Sequence, residues 1–283
     1  MVCTMTSIWI NGRLIPEHQA KIPVSDSAYL YGHGAFETLR AVDGEILFLE
    51  KHLQRLRRGS RLLKIRFPYR FGGLTKEINR LLKKNHLDDA TVRMMLSQDT
   101  DGQPRLVITA KPYKPFPDSY YSKGAPMILV KTIRNDSARI ANTKTTNYLT
   151  KMLARREIER AGAVEGVLLN NQGRVTEGAS SNLFVVKKGR LITPPISDGL
   201  LPGVRRAVVL RLARILKIPC REKSLAVRNL KDADEIFLTS SLKGIMPIRT
   251  FDGKKVGKIC PGPITRRLTE RYLVPFGLKP SGG

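Results

Sequence analysis

Short apolar runs separated by turn residues fill the first third of the chain. Ser7–Ile10 and residues 13–15 flank Asn11-Gly12, a dipeptide that accepts the positive φ of a two-residue hairpin, so the pattern predicts two antiparallel strands. Asp43-Gly44 marks a second turn, between strands expected over 37–41 and 45–49. Over 51–64 the period changes: Leu53, Leu56 and Leu63 fall near one helical face of a basic segment. Residues 74–84 continue helical, and 85–89 end them. Runs 91–97 and 105–110 around the turn 99–104 read as a strand pair. Pro112, Pro115 and Pro117 follow; proline fixes φ and removes a donor, so neither a sheet nor a helix continues through them. The expected organisation is a smaller domain over 1–117, a linker over 118–125 and a larger domain over 126–283.

The second half mixes periods. Strands are expected over 127–132, 166–169, 174–176, 182–186, 190–192 and 235–239. Helices are expected over 147–161, over 204–216 after Leu201-Pro202-Gly203, and over 261–272. Strands and helices interleave without a regular βαβ rhythm, which points to an α+β fold of two domains. No run of about 18 uncharged apolar residues occurs, so no membrane-spanning helix is expected. The first ten residues lack a signal-peptide pattern, and a cytoplasmic protein is expected.

The chain has 283 residues, 41% hydrophobic and 26% charged, which suits a globular protein and disfavours a disordered one. Three cysteines (Cys3, Cys220, Cys260) and four scattered histidines offer neither a disulfide framework nor a metal-ligand spacing. The net charge of +26 is the unusual feature. It raises the alternative of a nucleic-acid-binding protein, and its densest segment is 51–70, with eight Lys and Arg and no acid. Elsewhere the basic residues come as scattered pairs, so the charge reads mainly as a solvated surface, with no specific nucleic-acid partner expected.

Candidate chemistry is faint at each position taken alone. Gly32-His33-Gly34 begins like a dinucleotide fingerprint, but position 37 is Glu37, so a tight turn is the better reading. Leu201 to Arg206 opens a helix whose N-terminus suits a phosphate or is simply a proline-started core helix. Ser240 and Ser241 end a strand as phosphate-binding hydroxyls or as a turn. Glu177 is the only acid between 166 and 197, either a functional charge or a loop residue. Lys144 is flanked by uncharged residues and is a candidate nucleophilic amine if desolvated.

Together these elements resemble the class IV, fold-type IV pyridoxal-phosphate enzymes, which include branched-chain and D-amino-acid aminotransferases and aminodeoxychorismate lyases. The resemblance rests on Glu177, Asn182-Leu183-Phe184, Leu191-Ile192-Thr193 and Leu201-Pro202-Gly203-Val204-Arg205-Arg206, in order. Upstream, the block from Tyr31 to Arg40 and His52-Leu-Gln-Arg-Leu56 look like the family's N-terminal blocks. The resemblance implies pyridoxal 5'-phosphate as cofactor, amino-acid and 2-oxo-acid substrates, a homodimer and a smaller N-terminal domain joined to a larger cofactor-binding one. It implies Lys144 as the Schiff-base lysine, Glu177 as partner of the pyridine nitrogen and Tyr148 near the cofactor hydroxyl. Arg55, backbone donors at Val204 and Arg205, and the hydroxyls of Ser240 and Ser241 would hold the phosphate. Arg205 departs from the family's common Thr. Tyr31, Thr38, Arg40 and Arg93 would face substrate, with Arg93 as the carboxylate ligand.

The subfamily stays open. Phe36-Glu37-Thr38 and Ser180-Ser181-Asn182 replace the Phe-Glu-Gly and Gly-Glu-Asn of typical branched-chain enzymes. The second form is similar to D-amino-acid aminotransferases, but 98–104 lacks their Arg-x-His pair. Thr38 matches some aminodeoxychorismate lyases. The expected activity is amino transfer between a branched-chain or D-amino acid and a 2-oxo acid, with the lyase reaction to 4-aminobenzoate and pyruvate as the alternative.

Overall fold

The computed structural model describes residues 6–134 and 140–273, which belong to two compact units. One comprises Met1–Lys114 with Thr143–Tyr148; the other comprises Pro115–Asn142 and Leu149–Gly283. The division differs from the expected one in two ways. It falls at Lys114, and the short stretch carrying Lys144 returns to the first unit because its backbone bonds to a strand there. No helix among the described residues is long and apolar enough to cross a membrane.

The first unit contains β1 (Ser7–Ile10), β2 (Arg13–Pro16), α1 (Ser27–Tyr31), β3 (Ala35–Val42), β4 (Glu45–Ile46), α2 (Leu49–Leu62), α3 (Phe71–Lys84), β5 (Ala90–Gln98) and β6 (Pro104–Pro112). They form an antiparallel sheet in the order β2-β1-β6-β5-β3-β4. Alternation along β3 and β5 decides the two faces. Ala35, Leu39, Ala41, Val92, Met94 and Leu96 join the core beneath the helices, with Leu53, Leu56, Leu74 and Ile78. Phe36, Thr38, Arg40 and Arg93 therefore occupy the opposite face. The strand expected over 45–49 is only two residues long, since Phe48 adopts a left-handed φ of 58° and Leu49 starts α2.

The second unit contains α4 (Asp118–Ser122), β7 (Ala125–Arg134), α5 (Leu149–Arg160), β8 (Glu165–Asn170), β9 (Val175–Gly178), β10 (Asn182–Lys187), β11 (Arg190–Thr193), α6 (Val204–Ile215), β12 (Cys220–Glu222), α7 (Val227–Lys231), β13 (Glu235–Ser240), β14 (Gly244–Phe251), β15 (Lys254–Lys255) and α8 (Pro263–Leu273). The segment expected as a linker thus contains α4 and the start of β7. The sheet order is β12-β11-β10-β13-β14-β7-β8-β9, with β15 beside β14 and parallel pairs at β11–β12, β14–β7 and β7–β8. Phe184 and Phe237 stack at 4.9 Å in one core with Val209, Leu212 and Leu268 of α6 and α8. Full burial of each ring contributes about 1.5–3 kcal/mol. Leu183, Val185, Ile236, Leu238 and Met246 fill a second core.

β14 was not among the expected strands; Pro247 stands in its middle, where proline removes a ladder donor. The structure accommodates it: β14 pairs with β7 only from Ile248 onward, so no β7 partner stands opposite Pro247.

Candidate active site

Lys144 is placed by its backbone. Its carbonyl accepts from Phe36 N–H at 3.0 Å, Thr145 bridges to Ala35, and Thr146 N–H donates to the Gly34 carbonyl at 2.8 Å. The segment therefore lies along the start of β3 like a short extra strand. This explains the Gly32-His33-Gly34 motif. Gly32 ends α1 with a left-handed φ of 65°, which favours glycine. A side chain at Gly34 would put its Cβ 2.9 Å from Thr146 Oγ1 and from the Leu96 carbonyl, pushing the lysine segment away. The motif is a turn, as expected, and it is also a docking groove for residues 143–148.

The half-buried Lys144 directs Nζ to 4.5 Å from the centroid of the Phe36 ring. Arg93 places its guanidinium 4.3 Å from the same centroid, and Tyr148 meets Phe36 edge-to-face at 5.4 Å. Four residues of one unit thus converge: an amine, a guanidinium and two aromatic rings. Crowding by protein atoms pulls the Arg93 pKa down from the ordinary arginine value, against an opposing contribution from Tyr148. Among the described residues Arg93 makes no ion pair, and Thr38 stands directly across from it in the sheet. Arg40 differs: it is paired with Asp89 at 3.2 Å and stacked 3.5 Å over Tyr113. Tyr31 is exposed at the end of α1.

Arg55 is buried on α2, the exception in a segment whose Lys51, Arg57, Arg58, Arg61, Lys64, Arg66 and Arg70 are exposed. Its Nε and NH2 each donate to Glu37 at 2.7 Å, forming a two-pronged fork, and His52 Nδ1 lies 2.8 Å from the same carboxylate. Burial alone would raise the Glu37 pKa, but the Arg55 charge and the hydrogen bonds from Arg55 and His52 bring it down to about 2. The sequence reading missed this partner. The signal was a lone acid at an inward position of β3, facing a helix with a His and an Arg three residues apart.

In the second unit, Glu177 on β9 is 2% exposed. Its Oε1 accepts from Lys151 Nζ at 2.7 Å and Arg134 NH1 at 2.9 Å, and its Oε2 accepts from Leu201 N–H at 3.0 Å. Burial would raise its pKa; the charges of Lys151 and then Arg134 outweigh that, so the carboxyl lies below its ordinary value. Leu201 belongs to the turn leading into α6. There the Asn182 side chain donates to the Leu201 carbonyl at 2.9 Å, and a Cβ on Gly203 would sit 1.9 Å from Asn182 Oδ1. Only glycine lets the turn close on β10. Ala207 N–H is bonded to the Gly203 carbonyl, so the amides of Val204 and Arg205 point past the helix end. The buried Arg205 side chain lies 5.5 Å over Tyr272.

Ser240 closes β13, and its Oγ accepts from Lys243 N–H at 3.1 Å; Ser241 follows in the same turn. Lys243 Nζ is buried and donates to Ser180 Oγ at 2.7 Å and to Glu165 at 3.2 Å. Glu165 also accepts from Ser180 and Ser181 hydroxyls at 2.8 and 2.9 Å. This network fixes the Ser180–Ser181 turn to the Ser240–Ser241 turn. Lys243 and Glu165 carried no signal that separated them from surface charges.

Comparison with known proteins adds an independent line. The sequence profile of the amino-transferase class IV family matches residues 34–251. A branched-chain-amino-acid aminotransferase of Salmonella typhimurium is 31% identical over 287 residues, covering 96% of this chain and 92% of that protein. A D-alanine aminotransferase of Staphylococcus haemolyticus is 29% identical, covering 95% and 97%. Among solved structures, the Escherichia coli branched-chain amino acid aminotransferase aligns with a TM-score of 0.90 and 30% identity over 97% of this chain and 94% of its own. A branched-chain amino acid aminotransferase complexed with N-(5'-phosphopyridoxyl)-L-glutamate aligns with a TM-score of 0.87 and 27% identity over 95% and 93%. With the family profile matched over residues 34–251 and the fold shared over 97% of the chain, the chain belongs to the class IV aminotransferases, a family of pyridoxal-phosphate-dependent transaminases.

Proposed function

We propose that this transaminase moves the amino group of a branched-chain amino acid to a 2-oxo acid, with pyridoxal 5'-phosphate bound by the residues described above. The donor set suits that cofactor. Lys144 offers a primary amine for the aldehyde, and Glu177 offers a buried anionic carboxylate for the ring nitrogen. Arg55, the α6 amides at Val204 and Arg205, and the Ser240 and Ser241 hydroxyls offer phosphate donors. The Arg205 guanidinium is turned toward Tyr272, so its assigned contribution is the backbone N–H.

When bound, the cofactor supplies an aldehyde that captures amines and a ring that withdraws electrons. Lys144 Nζ would hold that aldehyde at rest and then carry the proton leaving the substrate Cα. Glu177 would hold a proton on the ring nitrogen, with Tyr148 at the cofactor hydroxyl. Arg93 would take a substrate carboxylate, since Arg40 is already engaged by Asp89. Tyr31 and Thr38 remain proposed substrate neighbours. We assign the protein a homodimeric state, supported by the exposed apolar Tyr29, Leu30, Leu149 and Met152.

The observation that carries the substrate reading is the Phe36 cluster, where a guanidinium, an amine and apolar aromatic surface lie together. That combination suits an amino acid with an apolar side chain. The test is the visible spectrum of the reconstituted protein during addition of L-leucine, L-glutamate, D-alanine or D-glutamate. Loss of the cofactor's visible band with the L-amino acids, reversed by a 2-oxo acid, is expected. A response to the D-amino acids alone would move the assignment to D-amino-acid transfer. Indifference to all four would favour the lyase reaction, which the position of Thr38 across from Arg93 keeps in view.

A further inference from the structure

Glu177 receives three donors from three separate segments: Lys151 of α5, Arg134 of β7 and the Leu201 amide before α6. A carboxylate offers about four lone-pair sites. Two donors sit on Oε1 and one on Oε2, so the remaining site lies on Oε2. One guanidinium would be enough to keep a buried carboxylate ionised. Arg134 serves that end and is also anchored by donating to the Gly199 and Ala141 carbonyls. Lys151 places a second positive charge on the same oxygen. Both cations are mostly buried, with side-chain exposures of 16% for Lys151 and 12% for Arg134, so salt and water screen them weakly. One carboxylate and two cations leave the cluster with a net positive charge.

We infer that Lys151 is a tuning residue: its ammonium on Oε1 weakens the hold of Glu177 on a proton carried by the cofactor ring nitrogen at Oε2. This rests on the reading that Glu177 faces the ring nitrogen. A ring proton adds positive charge to an already cationic cluster, and Coulomb repulsion at these separations is large in a low-dielectric site. The consequence is a ring that gives up its proton at lower pH than a Glu and Arg pair alone would allow. The cofactor's electron-withdrawing power is then set by an α5 side chain that touches no reacting atom. Lys151 and Arg134 are the charged groups bonded to Glu177 among the described residues, so the effect has two separable sources.

The test uses the full-length enzyme reconstituted with pyridoxal phosphate labelled with nitrogen-15 in the ring, and follows the ring nitrogen resonance against pH. Lys151→Met is expected to raise the midpoint of ring-nitrogen titration by about one pH unit. Lys151→Gln, which keeps a donor without the charge, is expected to do the same and serves if the Met variant does not fold. Lys151→Arg is expected to restore the wild-type midpoint. Glu177→Gln is expected to strip the ring proton throughout. If it does not, the placement of Glu177 fails and this inference with it. If Glu177→Gln behaves as expected but Met and Gln at 151 leave the midpoint unmoved, the inference alone is overturned. A wild-type ring protonated at every accessible pH would overturn it as well.

Discussion

Glu37 and Glu177 are both buried strand glutamates, each bonded by three donors, yet those donors are arranged in opposite ways. At Glu37 two of the donors come from a single guanidinium and the third from the same helix, at His52. The carboxylate fixes Arg55 in one plane and ties α2 to β3. At Glu177 the donors come from three distant segments and meet on a short strand. There the cations serve the carboxylate, keeping it anionic. The first unit thus uses a negative charge to fix a positive one, and the second uses positive charges to hold a negative one. On the proposed reading the functional partner is Arg55 in the first case and Glu177 in the second.

The comparison breaks most visibly at Glu37. Glu37→Gln leaves the Arg55 guanidinium buried without its counter-charge, a loss of about 3–5 kcal/mol, read as a lower midpoint in urea unfolding. Its folded pKa is depressed to about 2 from 4.5, so the stability it contributes is present above about pH 4.5 and lost as pH falls toward about 2. The variant is expected to lose that part of the acid slope; an unchanged acid slope would mean that Glu37 does not brace Arg55. Glu177→Gln is expected to act chiefly on turnover, lowering kcat on the order of 10²-fold while the cofactor remains bound. A kcat near wild type would make Glu177 a brace like Glu37. Arg93→Met is the mildest: KM raised about tenfold for leucine and glutamate alike, as expected for one charge-assisted contact to the carboxylate they share. An effect on glutamate alone would place Arg93 at the side-chain carboxylate instead.

Much of this was legible in the sequence for a physical reason. The strands expected over 37–41 and 91–97, the strand leading to Glu177 and the helix from Val204 fold as their local patterns imply. β14 was hidden because a proline inside a strand is tolerated only where a neighbour is missing, and sequence does not display neighbours. Lys151 and Arg134 were hidden because fifty basic residues give no local contrast, and only tertiary packing brings two of them to one carboxylate. The role of Gly34 was hidden for the same reason, since the segment it accommodates lies more than a hundred residues away. Of the high-charge segment 51–70, burial singled out Arg55.

The assignment of Lys144 is tested most directly by reducing the cofactor-loaded enzyme with borohydride and mapping the attached phosphopyridoxyl group by peptide mass. A single modified peptide containing Lys144 is the expected result. Attachment to another lysine, or to none, would contradict it.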